Sequence, residues 1–318
     1  MAPMRLVFRA DASPDLGTGH VMRCSSIAEE ALARDIPCIF VGSMGGIRWI
    51  EERLALLGIP VISVSDFNDF TKSDLLIIDS YLQGTQEEFI KCNIWASIVV
   101  IVDEVTPIPE ADLFIHPGLV GAWFRGDRKK FVCGPKFIPL RKTIQKSKPS
   151  IGGLVEKIVV FGGGTDAFGF AQEMSRILSD ISEFNRASFF SSEYLQIEKK
   201  DSRFRGFQFG GLLDLELSQA DLVFTTASTS SLEIVAREIP LGIACSVENQ
   251  QAYYEELRDS RVAVQIGYRT KTGTWEMDPK TILELISNSG IRTKLSMACN
   301  SFIDLDGASR IIDKIEEI

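Results

Sequence analysis

Twice in this chain a short apolar run breaks into a glycine turn that leads into a helical pattern. Leu6, Val7 and Phe8 precede Gly17-Thr18-Gly19-His20, and Lys157–Phe161 precedes Gly162-Gly163-Gly164-Thr165-Asp166. Strand, glycine turn and helix start present unpaired backbone N–H groups to an anion. Two such openings, far apart in the sequence, predict two α/β halves of similar plan. With 318 residues the chain is long enough for both to bury a core.

Short β-rich runs alternate with helical patterns in each half. The first half reads as strands at 5–9, 37–41, 61–64, 74–78, 98–102 and 113–116, with helices at 20–34, 47–57 and 85–94. Val21, Cys24, Ile27, Ala28, Ala31 and Leu32 share one face of the first helix. The pattern stops in the basic, polar stretch 141–153, which ends in two glycines and has the chemistry of a linker. It restarts with strands at 157–161, 188–190, 204–207, 222–225, 241–244 and 262–265. Helices are expected at 167–178, 213–220, 230–237, 250–257 and 281–287. Alternating β and α elements with Val/Ile-rich strands predict parallel sheets covered on both faces. The expected fold class is α/β, with two Rossmann-like domains spanning 1–146 and 147–318. Ligands of such sheets bind outside the carboxyl ends of the strands, so a cleft between the domains is the expected site.

The net charge of −9 argues against a nucleic-acid partner, which calls for a basic face. It leaves room for a small phosphorylated ligand held by local backbone donors. No apolar run approaches the roughly 20 residues of a membrane helix, and the start of the chain has no apolar leader segment. A cytoplasmic protein without a membrane partner is expected. The six cysteines include no C-x-x-C pair and read as reduced, buried side chains, and no metal site or cofactor is expected.

The chain has two histidines, and one of them, His20, stands at the mouth of the first glycine turn. A neutral imidazole there can take a proton from water or a hydroxyl. Gly17 and Gly19 belong to the turn itself; G-x-G-H is a poor match to a dinucleotide fingerprint. In the second half, Ala227-Ser-Thr-Ser-Ser-Leu-Glu233 follows a strand and opens a helix. Hydroxyls at a first helical turn suit a diphosphate. The alternative is a capping box between Ser230 and Glu233, and Glu233 can also accept from a ribose diol. Asp79 and Asp103 end buried strands on the site side; either could orient the histidine or serve a structural role. His116 has no partner in sequence and reads as structural. Asp214 and Glu216 read as solvated surface.

Taken in order, FRADASPDLGTGHVMR (8–23), LLIIDSY (75–81), VVIVDE (99–104), CGPKFIPLR (133–141), FGGGTD (161–166), SSLE (230–233), ENQ (248–250) and DGASRI (306–311) resemble a known family. It is the UDP-2,4-diacetamido-2,4,6-trideoxy-β-L-altropyranose hydrolase family of pseudaminic acid biosynthesis, related to the GT-B glycosyltransferases. The resemblance implies a UDP-sugar substrate and inverting cleavage of the anomeric C–O bond; a monomer is expected. By position it implies that His20, Tyr81 and Asn249 are catalytic. It further implies that Arg9, Asp11, Gly17, Gly19, Gly163, Gly164, Thr165, Ser230, Ser231 and Glu233 bind substrate. The alternative activity is transfer from a UDP-sugar donor by a GT-B glycosyltransferase.

Overall fold

The computed structural model describes residues 4–13, 16–66, 70–79, 89–90, 94–102, 110–119, 128–147, 153–192 and 201–318. The chain divides into two compact units. One comprises 1–143 with 305–318, and the other comprises 144–304.

In the first unit, seven strands form one parallel sheet: β1 (Arg5–Ala10), β2 (Cys38–Val41), β3 (Val61–Ile62), β4 (Asp74–Asp79), β5 (Ser97–Ile101), β6 (Leu113–Ile115) and β7 (Phe131–Val132). Their order is β3-β2-β1-β4-β5-β6-β7, so the winding reverses between β1 and β4. The period-2 alternation of a strand sends Leu6, Phe8 and Ala10 to one face and Val7 to the other. The first face packs with Val21, Cys24 and Ile27 of α1 (Gly19–Ala33) and with Ile50 and Leu54 of α2 (Arg48–Leu56). The opposite face joins Val7 to Leu76, Ile78 and Phe89. Both faces are therefore apolar, which is why these strands read as continuous hydrophobic runs.

The second unit repeats the plan with β8 (Val155–Phe161), β9 (Phe184–Ser191), β10 (Phe204–Gln208), β11 (Leu222–Thr226), β12 (Leu241–Cys245), β13 (Val264–Arg269) and β14 (Trp275–Met277). The order is β10-β9-β8-β11-β12-β13-β14, reversing between β8 and β11; β14 alone runs antiparallel. Its helices are α3 (Phe170–Leu178), α4 (Leu212–Leu217), α5 (Thr229–Ala236), α6 (Gln251–Asp259), α7 (Pro279–Ser287) and α8 (Ser289–Asn300).

Several expected elements shift. Helix α3 starts at Phe170 rather than 167, because Gly169 adopts a left-handed conformation and the Asp166 carboxylate accepts from the Ala171 N–H. Helix α8 was not expected at all. Its buried face includes Arg292 and Ser296 beside Leu295 and Cys299, which erases the apolar period. Arg292 instead donates to the carbonyls of Leu285, Ile286 and Gly153, closing the open end of α7. The expected helix at 85–94 falls mostly outside the described residues.

The expected domain boundary also differs at the C-terminus. Helix α9 (Gly307–Glu316) belongs to the first unit, not the second. Ile311, Ile312 and Ile315 bury in the first unit's core, and Arg34 at the end of α1 pairs with Asp313 and Glu316 at 2.7 and 3.0 Å. Gly307 sits so close to Ile138 that an added Cβ would lie 2.0 Å from its carbonyl oxygen.

Candidate functional site

At the reversal of the first sheet, β1 and β4 lie side by side with Ala10 in register with Asp79. Gly17, at φ +78°, closes a turn in which its N–H donates to the Ser13 carbonyl at 2.8 Å. Helix α1 follows at once. Its N-cap, Thr18, makes no side-chain capping bond. His20, Arg23 and Cys24 share a helix face through their i, i+3, i+4 spacing. All three reach Asp79, the last residue of β4.

The His20 Nδ1 atom lies 2.6 Å from Asp79 Oδ1. Arg23 grips both carboxylate oxygens, with Nε on Oδ2 and Nη2 on Oδ1 at 2.5 Å. The Cys24 thiol approaches Oδ2 at 3.6 Å. All four residues are buried. Burial alone would raise the Asp79 carboxyl, but the Arg23 guanidinium and the His20 ring overcome it and hold it well below the usual carboxylate range. An ionised carboxylate can only accept, so Nδ1 carries the proton it donates. The Arg23 Nη2 atom, 3.1 Å from Nδ1, is then a neighbour sharing the same carboxylate oxygen, since a guanidinium cannot accept. Nε2 is left as the basic nitrogen of the ring.

Arg9 and Asp11, expected to bind substrate, are buried in a pair with each other at 2.6 Å. Asp11 accepts from the Ser43 N–H at 2.9 Å, and Arg9 lies over the Phe89 ring. Gly42 is needed beside them: a Cβ there would meet the Ala10 carbonyl at 2.1 Å. The two charges neutralise each other and join the ends of β1 and β2. His116 is buried too, with Nδ1 bonded to the Val102 carbonyl at 2.8 Å, as a structural histidine would be. Tyr81 and Asp103 lie outside the described residues.

The reversal of the second sheet brings the other glycine turn to the end of β11. Gly163 has φ +76°, and a Cβ there would sit 3.6 Å from both the Thr226 and Ser228 hydroxyls. The next residue, Gly164, continues the turn. Thr165 is buried, and its carbonyl accepts from the Ser192 hydroxyl at 2.6 Å. Burial pushes the neighbouring Asp166 carboxyl up to about 7, against the pull of the Ala171 and Phe170 N–H groups. Helix α5 opens one residue earlier than expected, capped by the backbone of Ser228 with no side-chain bond. The Ser230–Glu233 capping box is therefore absent. Ser230 and Glu233 are half-buried at this helix start. Ser231 is fully buried and donates its hydroxyl to the Ser228 carbonyl at 2.6 Å, bracing the turn. Asn249 is exposed in a short turn after β12.

The sequence reading missed Arg23 and Cys24 as partners of Asp79. The signal was present in their spacing from His20, together with an acid ending a neighbouring strand. Asp214 and Glu216 are not free surface acids either. Asp214 pairs with buried Arg237, and Glu216 with buried Lys157 at 2.7 Å. Among the described residues no three His, Cys, Asp or Glu side chains gather as metal ligands, and no helix is long and apolar enough to cross a membrane.

No family model matches the chain. It is 23% identical over 288 residues to an uncharacterized protein of Methanocaldococcus jannaschii, a match covering 80% of this chain. The match covers 58% of the relative, so the chain spans little more than half the length of that protein. Among solved structures it is similar to CalG4, the calicheamicin glycosyltransferase (13% identity, TM-score 0.65, 100% of this chain and 98% of that one). It is similar to UGT89C1 of Arabidopsis thaliana, solved with UDP-L-rhamnose (11% identity, TM-score 0.68, 99% and 97%). A UDP-N-acetylglucosamine 2-epimerase matches at 11% identity and TM-score 0.64, covering 99% and 96%. Identities this low speak to architecture alone, and together with the two doubly wound sheets they give the chain a two-domain, Rossmann-like fold of the GT-B type.

Proposed function

We propose that the protein is an inverting nucleotide-sugar hydrolase. It cleaves the anomeric C–O bond of a UDP-2,4-diacetamido-2,4,6-trideoxyhexose to give UDP and the free sugar, in nonulosonic (pseudaminic) acid biosynthesis. One observation carries this reading: His20, at a glycine turn, is bonded through Nδ1 to an ionised Asp79 at the reversal point of its sheet. A base with its second nitrogen fixed as an acceptor is what activation of a water requires. The solved structures of similar fold that act on or hold UDP-sugars add support for the substrate class.

In the proposed reaction Nε2 of His20 takes a proton from water as the water oxygen attacks the anomeric carbon. The bond to the leaving oxygen breaks, its electron pair passes to the UDP diphosphate, and a single displacement inverts the centre. Asp79 stabilises the imidazolium that forms. UDP is a good leaving group, so anion stabilisation serves in place of a strong acid. We assign that role to the second unit: the backbone of Gly163 and Gly164, and the N–H groups and hydroxyls at the start of α5, including Ser230, hold the diphosphate. Glu233 accepts from the ribose, and Tyr81 and Asn249 line the sugar and diphosphate. Gly17 and Gly19 keep the first turn open to the sugar.

A second reading, transfer to an acceptor other than water, is favoured by the likeness to a solved glycosyltransferase. Incubation with the UDP-sugar in ¹⁸O-labelled water separates the possibilities. Hydrolysis at carbon puts label in the released sugar. Label in UDP rules out C–O cleavage, and UDP release that needs an added acceptor favours transfer.

A further inference from the structure

The proposed reaction needs His20 as a neutral base, with Asp79 orienting it and stabilising the imidazolium as it forms. An uncompensated carboxylate favours the protonated ring, which cannot accept from water. Here the compensation comes from the same helix. Arg23 spans both oxygens of Asp79 and brings its Nη2 within 3.1 Å of His20 Nδ1. Among the described residues the titratable groups facing Asp79 are His20, Arg23 and Cys24, all from α1. Its β1 neighbour is Ala10, and β5 presents Val100 and Ile101 beside the end of β4, all apolar.

We infer that Arg23 is a positioning residue that holds Asp79 as a pure acceptor and keeps His20 with its proton on Nδ1 and Nε2 bare. The guanidinium acts through two contacts at once. It offsets part of the carboxylate's charge, so Asp79 orients the ring with a weaker pull toward the protonated form and still stabilises the imidazolium made during the reaction. It also occupies the lone pairs that could otherwise take the Nδ1 proton outright. Cys24 fills the remaining approach to Oδ2 with a weak donor. Its thiol is pushed well above its ordinary value by burial and then by the Asp79 charge, so it adds no second anion. The helical spacing of His20, Arg23 and Cys24 thus builds the base, its orienting acid and the acid's counter-charge from one turn of α1 and one strand end.

This inference rests on the reading of His20 as the base, but it can be tested without turnover. The chain has two histidines, so selective ¹⁵N-histidine labelling gives a spectrum of two rings, assigned by the variant His116→Gln. In the unmodified protein the neutral His20 ring should show a protonated Nδ1 and a bare Nε2. Arg23→Gln should move the midpoint of its titration upward by about 1 pH unit or more, the loss of one adjacent positive charge. Arg23→Lys, which keeps the charge but cannot span both oxygens, should move it by less and serves if the glutamine variant does not fold. The acidic limb of the kcat/KM profile should follow the same shift with KM unchanged, whereas a merely structural role lowers activity equally at every pH. Variants whose His20 titrates as in the unmodified protein overturn the inference and leave the hydrolase reading intact. A shifted titration in a protein that turns over no UDP-sugar does the reverse.

Discussion

His20 and Asp79 meet at 2.6 Å where the winding order of the first sheet reverses between β1 and β4. One follows β1 and the other ends β4, so their contact depends on the pairing of those two strands with Ala10 opposite Asp79. The sheet topology thereby sets the chemistry: a reversal point is where two strand ends open onto ligand space.

Replacing Asp79 with Asn keeps the shape but removes the charge that fixes the ring. An amide can present N–H to Nδ1 and favour the wrong tautomer. We expect kcat to fall by about 10²- to 10⁴-fold with KM little changed. Steady-state kinetics on the UDP-sugar checks this, and a loss confined to KM would contradict the orienting role.

Gly163→Ala tests the second unit. The added methyl finds ordinary contacts at 3.6 Å from the Thr226 and Ser228 hydroxyls, so packing tolerates it. The φ of +76° costs about 1–2 kcal/mol for a residue with a Cβ. The methyl also enters the space assigned to the diphosphate, so UDP affinity should drop by roughly tenfold or more by calorimetry. Unchanged affinity would place the diphosphate elsewhere.

Asp166 gives a pH signature of stability. Its carboxyl is raised to about 7 by burial. Between the ordinary aspartate value and 7 the folded state binds a proton that the unfolded state does not, so stability falls as pH rises through this window and is flat above it. Asp166→Asn keeps an acceptor for the Ala171 N–H and suits the positive φ of this position. It should stabilise the protein at pH 8 by on the order of 2–4 kcal/mol and change little at pH 4. Urea titrations at the two pH values measure the difference.

Helix α9 makes the C-terminal segment part of the first unit. Ile312→Ala removes a fully buried side chain from that core and should cost about 2–5 kcal/mol. Hydrogen exchange should show the loss in β1 and α1 while β8 and β11 keep their protection. Equal loss in both units would contradict the assignment of α9.

The doubly wound plan was legible because strands buried on both faces, such as 75–78 and 98–101, are written as unbroken runs of Leu, Ile and Val. His20 was legible for a different reason: a rare residue at a glycine turn has few structural uses. The misreadings come from polar residues whose partners lie far along the chain. Arg292 hid α8 by standing in its apolar face, because its partners are carbonyls at the end of α7 and at Gly153. The pairing of Arg9 with Asp11, and their bonds to the Val41 carbonyl at the end of β2 and the Ser43 N–H just beyond it, were not legible either. The home of α9 rested on Arg34, nearly the full chain length away from Asp313. Periodicity reports which face is buried, not against what.

The most direct measurement is the pair of constants for His20→Ala: turnover of the UDP-sugar and calorimetric affinity for UDP. With His20 as the base, turnover should fall by about 10²-fold or more while UDP binds nearly as tightly as before. Turnover equal to that of the unmodified protein would contradict the account at its centre.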